Sequence, residues 1–177
     1  MTVRTGSGRL FGFPNPVNEV ASRVVAGAVA AMCAAAIGSD QPWLLVPLAY
    51  GFWARVLTGP RLSPLGQLAT RVVAPRLGPA RPVPGPPKRF AQAMGAALSS
   101  LALVLWFGVS AHLATWVVLA LLGAAASLES FAGYCIGCRI FALLMRIGLV
   151  PETVCEECTN LGRRHPELAL GRRASGG

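Results

Sequence analysis

Acidic residues are what this chain most lacks: seven Asp and Glu stand against sixteen Lys and Arg, and only 13% of its 177 residues are charged. A water-soluble domain of that length carries more charge than this, so an ordinary soluble fold is excluded. No Ser, His and Asp set, no Gly-rich phosphate loop and no pair of catalytic carboxylates can be drawn from the chain, which removes hydrolase and kinase chemistry. Internal repeats and coiled-coil heptads are missing too. The basic residues are not interleaved with stacking aromatics as a nucleic-acid surface requires, so no nucleic-acid partner is expected.

What is abundant is apolar surface, with 54% hydrophobic residues and a mean hydropathy of +0.55. It is gathered into four runs, at 20–37, 43–57, 90–109 and 113–128, which predict an all-α polytopic membrane protein with four transmembrane helices. The first run reads as a retained span rather than a cleaved signal. Asn18 is its expected N-cap and Glu19 complements the helix dipole. Arg23 is expected to snorkel to the interface and Cys33 to be a small packing residue. The second run is short, and Trp43, Tyr50, Trp53 and Arg55 are expected at or near interfaces. Ser99 and Ser100 lie in the third. The turn before the fourth carries His112, read as an exposed turn residue.

Charge placement orients these spans. Arg55, Arg61, Arg71, Arg76, Arg81, Lys88 and Arg89 follow one another with no acidic residue between them, while the turns around Asp40 and His112 have no basic residue. The positive-inside rule makes the basic loop cytoplasmic and, with an even number of spans, both termini as well, in the plasma membrane. Inside that loop LSPLGQLATRVVAPRL predicts a short interfacial helix from Pro64, with Leu65, Leu68, Val72 and Val73 on one side and Arg71 on the other, lying on anionic lipid. GPARPVPGPPK then reads as a semi-rigid spacer. The expected organisation is a cytoplasmic leader over 1–14, a membrane domain over 15–148 and a cytoplasmic tail over 149–177.

Four of the five cysteines form two C-x-x-C pairs, Cys135 with Cys138 and Cys155 with Cys158. Each spacing brings two sulfurs within reach of one disulfide or one metal ion. The pairs follow the fourth span on the cytoplasmic side, where thiols are kept reduced, so a structural disulfide framework is not expected. Gly133 is placed to break the fourth helix, and a further helix runs to Arg146, forming a cysteine-bearing cytoplasmic C-terminal segment. At its start the helix dipole favours a thiolate, and Arg139 is a positive neighbour. Cys135 is then the expected nucleophile, Cys138 its partner, and Glu129, at the inner end of the fourth span, either a proton carrier or a residue that pairs with a neighbouring arginine or simply ends the span. Glu156 and Glu157 suit Cys155 and Cys158 to resolving roles.

The segments PVNEVASR, GPRLSPLGQLATRVVAPRLG, PPKRFAQAMG and ESFAGYCIGC together resemble a bacterial, mainly actinobacterial, family of small four-span membrane proteins classed as a domain of unknown function. The resemblance covers roughly residues 14–148 and leaves Cys155 and Cys158 outside it. It implies no activity of its own. Members of that family are often encoded beside thioredoxin-like proteins and thiosulfate sulfurtransferases, which implies a partner of one of those kinds.

Two chemistries stay open on the cysteines. One is thiol-redox or sulfur-relay work on Cys135 and Cys138, with Glu129 and Arg139 in support. The other is zinc held by Cys135, Cys138, Cys155 and Cys158, whose spacing suits a four-cysteine site; an iron–sulfur cluster fits the same ligands. Transport along a path lined by the four spans, especially in a homo-oligomer, is one reading from a different class, and a transporter-associated or purely structural membrane subunit packed on a partner through Ala and Gly faces is another.

Overall fold

The computed structural model describes residues 16–150, so the expected leader and the tail residues Cys155 and Cys158 lie outside the described residues. The chain is mostly helical. Helix α1 (Glu19–Gly38) starts where expected, because the Asn18 Oδ1 accepts the Val20 N–H at 3.0 Å and Glu19 stands in the first turn. A tight turn through Asp40 and a short 3₁₀ turn (Pro42–Leu44) lead into α2 (Leu45–Thr58).

The basic loop folds back as a helix in three parts. Ser63 caps α3 (Pro64–Leu68), its Oγ accepting the Gly66 N–H at 3.1 Å. A π-helical stretch (Ala69–Val73) then runs into α4 (Ala74–Leu77). Pro75 has no N–H and its ring crowds the carbonyl four residues back; the wider π register lets the helix continue past it. Gly66, Ala69 and Ala74 are buried, and all three parts pack on α1. Leu68, Val72 and Leu77 stay exposed with Arg71 and Arg76. The expected apolar side is therefore divided, with small residues meeting protein and larger ones left outside.

The proline-rich spacer is tied down rather than free-standing. Its β2 (Pro82–Val83) pairs antiparallel with β1 (Val17–Asn18), and the Glu19 N–H reaches the Arg81 carbonyl at 2.8 Å. Helix α5 (Gly85–Leu103) begins five residues ahead of the apolar run at 90, since Pro86 and Pro87 fit a first turn whose N–H groups have no partner anyway. It continues through a π turn (Val104–Gly108) to α6 (His112–Ala132) and, after Gly133, to α7 (Ile136–Arg146).

Helix α1 lies along α6 and α2 along α5, while α5 also meets α6 and α7. Val29, Cys33, Leu45, Leu48, Phe52, Leu119 and Leu122 fill the centre. Large apolar side chains cover the outside, with Leu113 79% exposed and Phe131 82% exposed, a surface suited to lipid and not to water. Three helical stretches, Glu19–Gly38, Gly85–Gly108 and His112–Ala132, are long and apolar enough to cross a membrane; α2 with its leading turn is shorter.

Two arginines bond within the bundle. Arg23 reaches the end of α6: its Nε donates to the Ser130 carbonyl at 3.0 Å and its Nη2 to the Phe131 carbonyl at 2.9 Å. These are carbonyls that the end of α6 leaves without helical partners, so the guanidinium caps that helix. Arg55, expected at or near an interface, is 6% exposed and turned into the bundle, because it continues the inward stripe of Leu45, Leu48 and Phe52 at helical spacing. Tyr50 and Trp53 are on the exposed side of the same helix, and Trp43 is exposed on the turn before it.

Candidate thiol site

The site is made where α6 stops. Gly133 adopts a left-handed φ of 67°, which glycine accepts without strain, and its N–H returns to the Glu129 carbonyl at 3.1 Å. The Tyr134 N–H also turns back, to the Leu128 carbonyl at 3.2 Å, and Cys135 is extended and becomes the N-cap residue of α7. Gly137 is the reason the helix can lie where it does. A Cβ there would come within 2.6 Å of the Ala91 Cβ and 2.7 Å of its Cα, so only glycine lets α7 close on α5.

That closure delivers both sulfurs to one place. Cys135 and Cys138 are half-buried, free, and hydrogen-bonded to each other. The Cys138 thiol donates toward the Cys135 sulfur, which also feels the Cys138 N–H at the start of α7 and the charge of Lys88. Together these hold the Cys135 thiol below its usual range, against burial and the nearby Glu129 carboxylate. The Cys138 thiol is pushed well above its usual range, first by the proton it shares with Cys135 and then by burial. One sulfur is prepared to carry negative charge and the other to keep its proton.

Lys88 anchors the surrounding charges. Its Nζ lies 2.6 Å from the Glu129 Oε1 and 2.9 Å from the Ser22 Oγ, and the Ser22 hydroxyl donates to the same Oε1 at 3.0 Å. Three helices, α1, α5 and α6, are joined in this triangle. Glu129 is thus partnered by a lysine rather than an arginine. Arg139 lies 5.1 Å from the Tyr134 ring centroid and does not pair with Glu129.

Two cavities flank Cys135. One of about 320 Å3 is lined by Glu19, Lys88, Tyr134, Cys135, Cys138 and Arg139. A second, of about 90 Å3, has Glu129 and Cys135 in its wall with Gln92 and Phe52. Since one water needs roughly 10–15 Å3, the small cavity has room for water to link the Glu129 carboxylate with the Cys135 sulfur.

The structure therefore brings Cys135, Cys138, Glu129 and Arg139 to one end of the bundle. Cys155 and Cys158 lie outside the described residues, and among the described residues no three metal-ligating side chains come together. The zinc expectation rests on the second pair. Lys88 was legible only as one of seven basic loop residues; its signal was a lysine just after Pro86 and Pro87, on the first turn of a long apolar helix, where a charge needs a partner. The His112 ring packs tilted against Trp106, with centroids 4.1 Å apart, at the other end of the bundle.

Residues 17–146 match a protein family described as Domain of unknown function (DUF4395). No curated protein and no solved structure matches the chain.

Proposed function

The chain belongs to the DUF4395 family, and for this member we propose thiol-redox or sulfur-relay work at a membrane surface, with Cys135 attacking and Cys138 resolving. The observation that carries the reading is the unequal thiol pair at the start of α7, hydrogen-bonded together beside Lys88 and opening on a cavity.

In disulfide exchange the Cys135 thiolate attacks one sulfur of a partner's disulfide, and the partner's other sulfur leaves as a thiolate. Cys138 gives up its proton and attacks Cys135, releasing the partner's first sulfur. The partner is reduced by two electrons and the Cys135–Cys138 disulfide holds the oxidised equivalent. Glu129 takes up the Cys135 proton through water in the small cavity as the attacking thiolate forms, the Cys138 proton passes to the departing partner sulfur, and Lys88 stabilises the thiolate. In sulfur relay the same attack on a partner's persulfide moves the outer sulfur to Cys135, with the partner's thiolate leaving. A thioredoxin-like protein or a sulfurtransferase supplies the matching chemistry.

For topology, the proposal is four spans with both termini cytoplasmic. The hydrogen bonds support an up-and-down order, since the start of α1 meets the end of α6, the start of α5 meets Glu129 near that end, and Arg55 near the end of α2 bonds Gln92 on the first turns of α5. Fourteen α-helical and three 3₁₀ residues make α2 with its leading turn about 27 Å long, close to the roughly 30 Å of a hydrocarbon core.

The test is a redox titration of the detergent-purified full chain with Cys33→Ala, read by mass spectrometry. A Cys135–Cys138 disulfide forming reversibly in a glutathione buffer, and a trapped mixed disulfide in Cys138→Ser but not in Cys135→Ser, are expected. One zinc per chain, lost equally on changing any of Cys135, Cys138, Cys155 or Cys158, would replace the relay with a metal site.

A further inference from the structure

A cavity of about 240 Å3 lies between α1, α2, α5 and the folded-back helix at 64–77, apart from the thiols. Most of its wall is apolar: Val17, Ala21, Val25, Pro60 and Gly66 among others. Into it also face Arg55 and Lys88, which are 6% and 8% exposed, together with Gln92 and Thr70. No Asp or Glu lines it.

Arg55 is held firmly but incompletely. Its Nε donates to the Gln92 Oε1 at 2.8 Å, its Nη1 reaches the Ser63 Oγ at 3.5 Å, and its Cζ lies 4.7 Å from the centroid of the Phe52 ring. The Nη2 group is buried with no hydrogen-bond partner, and it is the one such side-chain atom among the described residues. Lys88 has Glu129 as its counter-charge; Arg55 has no carboxylate in contact. A desolvated guanidinium with an unmade N–H is among the most costly things a fold can hold, and a fixed planar fork is the geometry that binds oxyanions.

We propose that this cavity is a binding site for a small tetrahedral oxyanion, free or as the phosphate of an anionic lipid headgroup, gripped by the Arg55 guanidinium and steadied by Lys88. The cavity is far larger than the roughly 10–15 Å3 that one water needs. Its position under the basic folded-back helix sets it where lipid phosphates and soluble anions both arrive. The site does not depend on the thiols turning over.

Two arms of one experiment separate the sources. The full chain is purified in a neutral detergent and titrated with inorganic phosphate and with sulfate, each against chloride at matched ionic strength, by calorimetry and thermal shift. In parallel it is placed in phosphatidylcholine nanodiscs with and without phosphatidylglycerol, and retained lipid is counted by native mass spectrometry. Saturable binding of phosphate or sulfate, weakened at least tenfold in Arg55→Gln, establishes a free-anion site. Phosphatidylglycerol retained by the wild type, and lost in Arg55→Gln, assigns the lipid source. Thr70→Leu fills the cavity from the opposite wall with Arg55 intact, and is expected to weaken binding even if Arg55→Gln fails to fold. Neither anion nor lipid binding to the wild type, or binding unchanged in Thr70→Leu, overturns the site.

Discussion

The two ends of the helix bundle are built differently. At the end holding the basic loop, Ser22, Arg23, Arg55, Lys88 and Glu129 are buried or half-buried, and each bonds across to another helix or loop. At the opposite end the turns are tight and the stabilising contacts are aromatic, with Trp106 packed at 4.1 Å against His112 and 4.9 Å against Trp116. Asp40 and Ser110 there take left-handed φ values of 50° and 54°. The contrast teaches where chemistry can reside. One end closes the chain, while the other organises charge, three cavities and a thiol pair at some cost in desolvation.

The largest break in that contrast is expected from the buried ion pair. Lys88→Met leaves the Glu129 carboxylate with only a serine donor, and removing one partner of a buried pair costs about 3 kcal/mol or more. A denaturant titration in detergent should show this loss, and the double change Lys88→Met with Glu129→Leu should recover most of it, because a matched apolar pair no longer needs solvation. If the double variant is as unstable as the single one, the triangle with Ser22 is not what joins the helices at this end.

Gly137→Ala comes next. The new methyl would enter Ala91, and overpacking of this kind costs about 2 kcal/mol. Because α7 must move away from α5, Cys135 also moves away from Lys88, so its alkylation at neutral pH should slow alongside the stability loss. A loss of stability with no change in reactivity would separate the packing of α7 from the preparation of the thiol.

How much of this end was legible in the chain divides along local and remote lines. The Asn18 cap, the helix starting at Pro64 and the break at Gly133 follow from residues adjacent in sequence, and all can be read from caps, proline and glycine. The Lys88–Glu129 pair spans forty-one positions and the Arg55–Gln92 bond thirty-seven, so neither has a local signature. Arg55 was the more readable of the two, since Leu45, Leu48, Phe52 and Arg55 share one helical face. The exposed aromatics Tyr50 and Trp53 on the same helix drew the expectation outward. The π register over Ala69–Val73 had a cause in view, Pro75, but its consequence depends on α1 being there to pack against.

A smaller effect tests the thiol pair itself. Alkylation follows the thiolate, so the rate at Cys135 should rise with pH to a midpoint below the ordinary thiol value of 9.0. Cys138→Ala removes the donated thiol proton, which is the leading cause of that depression, so the midpoint should move up and the neutral-pH rate fall several-fold. A midpoint that moves down would mean that Cys138 opposes the thiolate instead of supporting it.

The smallest expected effect lies at the opposite end. Ser110 holds a left-handed φ that its Cβ resists, whereas glycine accepts it, and relief of that strain is worth about 1 kcal/mol before the extra freedom of an unfolded glycine subtracts from it. Asp40→Gly should yield less, because an aspartate side chain tolerates this backbone region better than a serine does. Ser110→Gly should therefore raise the unfolding midpoint slightly and leave both the Cys135 alkylation profile and anion binding at Arg55 unchanged. Neither the strained turn nor the Trp106 packing shares a hydrogen bond with the Lys88 triangle, so nothing direct carries the change across the bundle. A shift in the Cys135 midpoint on Ser110→Gly would show the two ends to be energetically coupled, and the division between a closing end and a chemical end would fail.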